Sequence, residues 1–583
     1  MWARHATLAW LFPCGLLPLV LSIPIRGNHP WSILLCKFAD IDWEPKPTVW
    51  FQQWFSDERP PGSISEYWHD VSNGLYTVNG SRVHGWFALN YTRHDVHVLA
   101  SNAQHMNDTQ SHNQDAPVTQ THDLRIFVMI KRLCIEQARH LGHHLHPNTI
   151  TVINDQSVAI HCREHGVLLT PQYLMTSALA HEMAHGFSIG HSYSDQSTIV
   201  FPHGSPGEYD DQYDLMSTAN AFVYNTQFGM TGPGLNGPHL EFLGWLPVDR
   251  VVYMHTHGQR QPRSFRVSSL SRPHSHNKHP MLIMIPYDRD NPQNVFTVEF
   301  RTPDGQDKGL PRPGIVIHKV SKRDGHYFSY VIKHSDRDYD LVNGTEWMKF
   351  LERKSDGQFM YIHISVAAMY SGHGVADLVI DSTFDPTACL SGEFRSLGMC
   401  MQLNRDETLA QSLTAPQQGQ RNTRANKCFT PKYAPLISVQ LRGIRLCLTK
   451  KERKRYLQIQ TDTARRSQFY SQSWRTYGLN TCKHDHLWRL LDEYDFVCVT
   501  DKRRIEIWRE TDLALAPLPN GTCPRGAQWR RAHPNDRTCV SQLQKMRTLG
   551  DNRSNDQNMK HYAFFNGHDD VYHDNGSDRD GLL

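Results

Sequence analysis

The sequence predicts an α+β protein in successive parts, and three observations predict it. A histidine-rich helical stretch organises the chain up to about residue 247, the apolar period then shortens to two, and from residue 389 eight of the twelve cysteines crowd into 389–539. On this reading residues 1–22 are a leader, 23–247 mix helices with a sheet, and 248–385 form a β-sandwich. Residues 386–550 are then small disulfide-stapled repeats, and 551–583 a polar tail expected to be disordered.

The leader places Arg4 and His5 before an apolar run through Leu21, with small residues Val20 and Ser22 near its end, as a secretory signal does. Pro13 and Pro18 break the run, which is short of the roughly 20 residues a membrane span needs; no later segment is long and apolar enough. The expectation is a secreted, extracellular protein with no membrane span. A net charge of +3 with 20% charged residues gives no strong pull toward nucleic acid. Sequons at Asn79, Asn90, Asn107, Asn343, Asn520, Asn552 and Asn575 are candidate glycosylation acceptors.

Ser32–Phe38 reads as the first strand, about ten residues after the leader, which leaves little room for a pro-segment. Glu66–Gly74 and Arg82–Leu89 read as a helix and then a strand, with Trp68, Trp86 and Phe87 as core. Residues 100–122 are polar and read as an exposed loop, its His105, His112 and His122 solvated rather than a second metal site. Leu124–Leu141 has helical periodicity, and Thr149–Cys162 alternates as a strand hairpin would. Thr170 and Pro171 suggest the cap and first residue of the next helix, putting Leu174, Ala178, His181 and His185 on one face.

That helix carries His181-Glu182-Met183-Ala184-His185 and continues to His191. Four-residue spacing stacks His181 and His185 one turn apart, so both rings can address one ion with Glu182 beside it. Gly186 and Gly190 are expected to let the chain turn and bring His191 round as the third ligand. Even with 36 histidines in the chain, this pattern arises by chance well under ~1% of the time. Three imidazoles with an open fourth position suit one catalytic Zn2+ rather than a structural ion closed by four ligands. Glu182 is then a general base for an activated water, and peptide hydrolysis is the reaction such a site serves.

Here the chain resembles the metzincin zinc endopeptidases, specifically the gametolysin and immune-inhibitor-A groups. Glu208–Ser217, containing Met216, resembles their methionine turn, and Gly232–Leu246 the helix that follows it. The likeness runs over roughly residues 31–385. It implies a metzincin-like catalytic domain with His181, His185 and His191 on zinc, Glu182 catalytic and Met216 as the floor beneath the metal. It also implies an edge strand near 149–162 that receives extended substrate, while Tyr213 is a candidate for oxyanion stabilisation. The departure is Ser188, where metzincins usually carry glycine in a left-handed turn; a side chain there costs on the order of 1 kcal/mol.

After Trp245, eight short segments (251–254, 265–267, 281–285, 295–300, 314–318, 327–331, 361–366 and 376–380) alternate as strands, the basis for the sandwich. Glu299 and His318 on two of them are assigned a structural role, on the expectation that such strand-borne polar residues face solvent.

Beyond 389, Cys482-x5-Trp488-Arg489 continuing to Asp495-x2-Cys498-Val499-Thr500 aligns without a gap on Cys523-x5-Trp529-Arg530 continuing to Asp536-x2-Cys539-Val540-Ser541, a repeat of 41 residues. Cys428 to Cys447 resembles a looser third copy and Cys389 to Cys400 a fourth. Sequential pairing within each copy follows, each closure contributing about 3 kcal/mol in the chain-entropy model. A zinc ribbon fails because no C-x2-C pair occurs. In the first part, Cys134 and Cys162 are the expected pair and Cys36 the buried free thiol. Residues 404–427 read as a linker. The repeats offer a glycan or matrix contact through Trp488 and Trp529, and the basic run Lys450, Lys451, Arg453, Lys454, Arg455 favours acidic partners or is a solvated helix face.

Two functions follow. One is a zinc metalloendopeptidase acting on extracellular protein or peptide; the other is a catalytically inactive metzincin-like binding protein that works through its cysteine modules.

Overall fold

The computed structural model describes residues 25–559 and 563–564, apart from short internal stretches and the longer segments 103–117, 410–435 and 472–481; the leader 1–22 and most of the linker 404–427 lie outside the described residues. The chain mixes α and β structure throughout. Its first sheet has five strands in the order Arg82–Ala88, Trp31–Lys37, Asn148–Ile153, Gly166–Leu169, His161–Cys162. All neighbours are parallel except the last, an antiparallel edge. Thr149–Cys162 is therefore not a hairpin: Asn148–Ile153 sits mid-sheet with a parallel partner on each side. Alternation alone does not separate a central strand from a hairpin arm.

Both faces of this sheet are covered, which is why its strands read as near-continuous apolar runs. Ile33, Leu35, Ile150 and Val152 face a core with Trp54, Trp68, Met183 and Trp245. Leu34, Cys36 and Leu168 face helices Arg93–Asn102 and Val118–His140. The first of those helices was not anticipated. The second begins inside the stretch read as a loop; His105 and His112 lie outside the described residues, as does the side chain of His122. Trp68 and Phe87 are buried as expected, and Trp86 packs against the core edge. Cys36 is disulfide-bonded to Cys134, with Cα atoms 6.2 Å apart, which corrects the expected pairing of Cys134 with Cys162. Both are fully buried between strand and helix, so geometry rather than sequence proximity selects the pair.

All eight strand segments after Trp245 are strands, joined by Glu346–Arg353, which the period did not reveal. Arg263–Ser268, Val375–Ser382, Phe359–Tyr370 and Glu346–Arg353 form one sheet, and Leu282–Pro286, Val295–Arg301, Gly314–Arg323 and His326–Val331 the heart of another. Ile283, Val298, Phe300 and Ile317 from the larger sheet meet Val267, Ile362, Ile364 and Ile380 from the smaller, a β-sandwich core. The larger sheet is also buried behind: Leu282, Met284 and Val320 belong to the same core as Trp68 and Met183. For this reason Glu299 and His318 do not face solvent, and both are fully buried.

The cysteine pairs Cys389–Cys400, Cys482–Cys498 and Cys523–Cys539 form as predicted, while Cys428 lies outside the described residues. Each copy is a hairpin, and in the last three copies a capped helix follows. Thr449, Thr500 and Ser541 accept hydrogen bonds from the backbone N–H of Glu452, Arg503 and Gln544 at the starts of helices Lys450–Ser471, Asp501–Asp512 and Gln542–Asn558. In the 41-residue pair the buried Arg489 is forked onto Asp495 (2.8 and 2.9 Å) and Arg530 onto Asp536 (2.8 and 3.1 Å), the same bond made twice. The last helix runs to Asn558 and the buried Met559 bridges Cys482, so residues 551–558 are not a disordered tail. Trp488 is 4% exposed inside its module, which removes it as a glycan platform. No helix among the described residues is long and apolar enough to cross a membrane.

Candidate functional site

His181, Glu182 and His185 lie on helix Thr176–His185, whose residues through Ala184 are all buried. The helix starts later than the sequence suggested. Pro171–Tyr173 form a separate 3-10 turn with no side-chain cap from Thr170, and Met175 is the N-cap, so Leu174 lies outside the helix. Proline fixed the turn but the residues after it leave the helical path. Three anchors hold the helix: Trp54 Nε1 donates to Thr176 Oγ1 (2.7 Å), Thr176 Oγ1 donates to the Gly62 carbonyl (2.6 Å), and Trp68 Nε1 reaches Met183 Sδ (3.3 Å).

At its end the chain turns at Ser188, with φ 62°, and not at the glycines: Gly186 is right-handed at φ −62°. The left-handed position therefore falls on a serine, whose side chain strains the backbone there. His191 follows, and Tyr193–Ser194 then joins the edge of the larger sheet beside Tyr330–Val331. The far side of the bend is fixed by Gly207, at φ 79°, where a Cβ would come within 2.5 Å of the Ser194 carbonyl.

These elements bring the three imidazoles together, with ligand atoms within 4.8 Å of one another. Each Nδ1 faces an acceptor: the Leu215 carbonyl for His181 (3.2 Å), the Ile189 carbonyl for His185 (2.9 Å) and Glu208 Oε1 for His191 (2.6 Å). A carbonyl only accepts, so Nδ1 of His181 and of His185 carries the proton and Nε2 is a bare lone pair. Those two Nε2 atoms lie 3.1 Å apart, so their lone pairs converge where a shared cation, a proton or a metal ion, satisfies both. Burial, then the two neighbouring rings, hold His181 well below the usual histidine range, which keeps it neutral. The donor set, three converging imidazoles with their orienting acceptors, is one that can hold a metal ion.

Met216 is fully buried in the turn Leu215–Ser217, the turn whose Leu215 carbonyl receives His181. Glu182 is 7% exposed, and burial pushes its carboxyl up to about 8, only partly offset by the buried Lys131. Tyr213 is not at the site. Its ring packs edge-on against Phe222 and its hydroxyl is bonded to Asp340, so it belongs to the sandwich side. The tyrosine that reaches the histidines is Tyr209, at φ 62°, with its hydroxyl 2.9 Å from His191 Nε2. Sequence reasoning also missed Glu208, whose Oε2 is held by Ser205 N–H (2.7 Å) while Oε1 orients His191. The available signal was the need of a third ligand for a carboxylate partner, and the chain places one directly after an obligatory glycine.

Beneath the turn lies a second buried polar cluster. His239 pairs with Asp214 (2.8 Å), His318 Nε2 with Asp211 (3.0 Å), and Arg301 with both Asp307 (2.7 Å) and Glu299 (3.0 Å). Glu299 Oε2 also accepts from Gly237 N–H, and Asp214 Oδ1 from Asn236 N–H. Burial alone would raise Asp214, but His239 carries it below the ordinary carboxylate value. Burial would likewise lower His318, and Asp211 and Glu299 carry it above the ordinary histidine value. This cluster clamps the turn under the histidines to the sandwich.

A scan against protein-family models matched none, and searches of curated proteins and of solved structures returned no similar protein.

Proposed function

We propose that the chain is a secreted zinc metalloendopeptidase of the metzincin type, acting on extracellular protein or peptide. The observation that carries this reading is the convergence of three imidazoles, two buried and one half-buried, beside the buried carboxyl of Glu182. His181, His185 and His191 would hold Zn2+, which when bound supplies Lewis acidity for activating water and polarising a carbonyl. Glu182 accepts the proton of the attacking water and passes it to the leaving amine. A structural metal site has no use for such a base. The Tyr209 hydroxyl, already at the edge of His191, donates a hydrogen bond to the oxygen on which negative charge develops. His161–Cys162 ends the first sheet among the described residues, and its outer main-chain edge receives extended substrate by strand addition. Disulfides together with the leader motif support secretion.

The test is cleavage of a denatured protein by the full chain. Activity should disappear with chelator and return with zinc. Glu182→Gln should keep the metal and lose cleavage; cleavage unchanged in Glu182→Gln would favour the inactive, module-borne binding protein instead.

A further inference from the structure

One short signal recurs in three places. Asn79-Gly80-Ser81, Asn343-Gly344-Thr345 and Asn520-Gly521-Thr522 are all sequons on a glycine turn, their glycines at φ 78°, 74° and 74°. The fold treats them differently. Asn343 and Asn520 are exposed, and the glycine after each has open space where a Cβ would stand. Asn79 is half-buried with its Oδ1 enclosed, so the turn alone does not present the amide. Asn552, another sequon, lies on the last helix with Nδ2 donating to the Ala532 carbonyl (2.8 Å). The atom that would carry a sugar there is spent inside the closed repeat.

The surroundings single out Asn343 and Asn520. Among the described residues the two most exposed large apolar side chains are Leu513 (81%) and Phe350 (61%). Leu513 precedes Asn520 by seven residues, and Phe350 follows Asn343 by seven. Phe350 belongs to Glu346–Arg353, the outer strand of the smaller sandwich sheet, where Met348 is also exposed and Phe350 meets the exposed Phe359 edge-on (5.9 Å). The first stapled repeat closes the far end of this strand: Ser391 N–H donates to the Arg353 carbonyl (2.8 Å) and Ser355 N–H to the Cys389 carbonyl (2.8 Å). The rest of its outer edge, which starts at the Asn343 turn, has no partner strand among the described residues. Leu513 begins the connection between the last two repeats, where Leu515 and Leu518 are exposed as well. Gly521 N–H donates to the Leu518 carbonyl (2.8 Å), so Leu518 and Asn520 share one turn.

Open sheet edges and exposed apolar patches are association hazards that folded proteins cover. The two surfaces differ in shape, one a sheet edge and the other an irregular segment containing Pro517 and Pro519, so no single protein partner is complementary to both. What they share is an outward asparagine within roughly 23 Å of extended chain from the exposed side chain, inside the span of a branched oligosaccharide.

We propose that Asn343 and Asn520 carry N-linked oligosaccharides in the folded chain, and that these cover the open edge and the apolar connection and keep both from associating. The inference rests on the secretion part of the function proposed above and not on its proteolysis. In the linking step Asn Nδ2 attacks the sugar C1 of a lipid-diphosphate-linked oligosaccharide. The N–C bond forms, the C–O bond to the diphosphate breaks, the lipid diphosphate leaves, and Nδ2 gives one proton to base. The product is bulky, hydrated and held at the surface.

The test uses the full chain secreted from glycosylating host cells. Glycosidase release in heavy-oxygen water followed by peptide mass spectrometry should mark Asn343 and Asn520 and leave Asn552 unmarked. Endoglycosidase trimming of the native protein should shift its elution from monomer to larger species at unchanged melting temperature, and Asn343→Gln/Asn520→Gln should do the same. Adding Phe350→Lys/Leu513→Lys to that double variant should return the monomer. Asn343 and Asn520 unmarked in secreted protein, elution unchanged after trimming, or a glycosylated parent that is already a dimer split by Phe350→Lys would overturn the proposal. The last outcome would put a second copy on the edge strand instead. A chain that is never secreted would overturn the secretion reading and this inference together, while zinc-dependent cleavage is decided by its own assay.

Discussion

Two histidine clusters lie buried on either side of one turn, and they are built on opposite principles. In the first, acceptors behind the rings of His181, His185 and His191 leave their Nε2 atoms facing one another. In the second, His239 and His318 face Asp214 and Asp211, so each imidazole meets its charge partner within the fold. The difference teaches how to separate a ligand site from a structural one when both are apolar-enclosed. Converging second nitrogens call for a cation from outside even where, as at His191, a carboxylate orients the first, whereas the rings of the second cluster are each spent on a carboxylate of the fold. Burial alone does not distinguish them.

The largest expected effect breaks the first cluster chemically without dismantling it. Glu182→Gln should lower peptide cleavage by about 10³-fold, within the usual range for a lost general base, with zinc content unchanged by elemental analysis. In the second cluster the loss should be structural. Asp214→Ala leaves His239 buried without its carboxylate and should cost about 3–5 kcal/mol in denaturant unfolding, while the protein that remains folded keeps its metal. Loss of metal without loss of stability would merge the two clusters.

The pH dependence is smaller and has a definite sign. His318 is held above the ordinary histidine value by Asp211 and Glu299, with Asp214 and Arg301 also nearby. Its contribution is fully present below the unfolded value of about 6.5 and is lost as pH rises through the raised folded value, at up to about 1.4 kcal/mol per pH unit in that window. Melting curves from pH 6 to 9 should therefore be flatter for His318→Gln than for the parent. Smallest of all, Ser188→Gly should relieve the left-handed backbone at φ 62° and stabilise the chain by up to about 1 kcal/mol, with metal affinity unaltered.

Much of this was readable before the structure. Spacing of four found His181 and His185, period two found eight strands of the two sandwich sheets, and the 41-residue alignment found a repeat whose Arg–Asp forks and disulfides superimpose in kind. What escaped has a common physical cause. Glu299 and His318 read as solvent-facing because alternation reports that a strand has two faces, not that a second body covers the polar one. Cys36 reads as a free thiol in the sequence because its partner Cys134 is 98 residues away across a strand–helix contact. Tyr213 reads as the oxyanion candidate and Tyr209 escapes because side-chain direction in an irregular segment depends on single backbone angles, here the φ of 62° at Tyr209. Local pattern carries local structure; contacts between layers and the aim of loop side chains do not reside in it.

Whether the three imidazoles hold a single ion is decided by counting zinc per chain in the purified protein and in His191→Ala. One ion per parent chain is expected, removable by chelator, and almost none in His191→Ala even where that variant melts normally. A parent chain that retains no metal when offered zinc, or a His191→Ala chain that retains it fully, would contradict it.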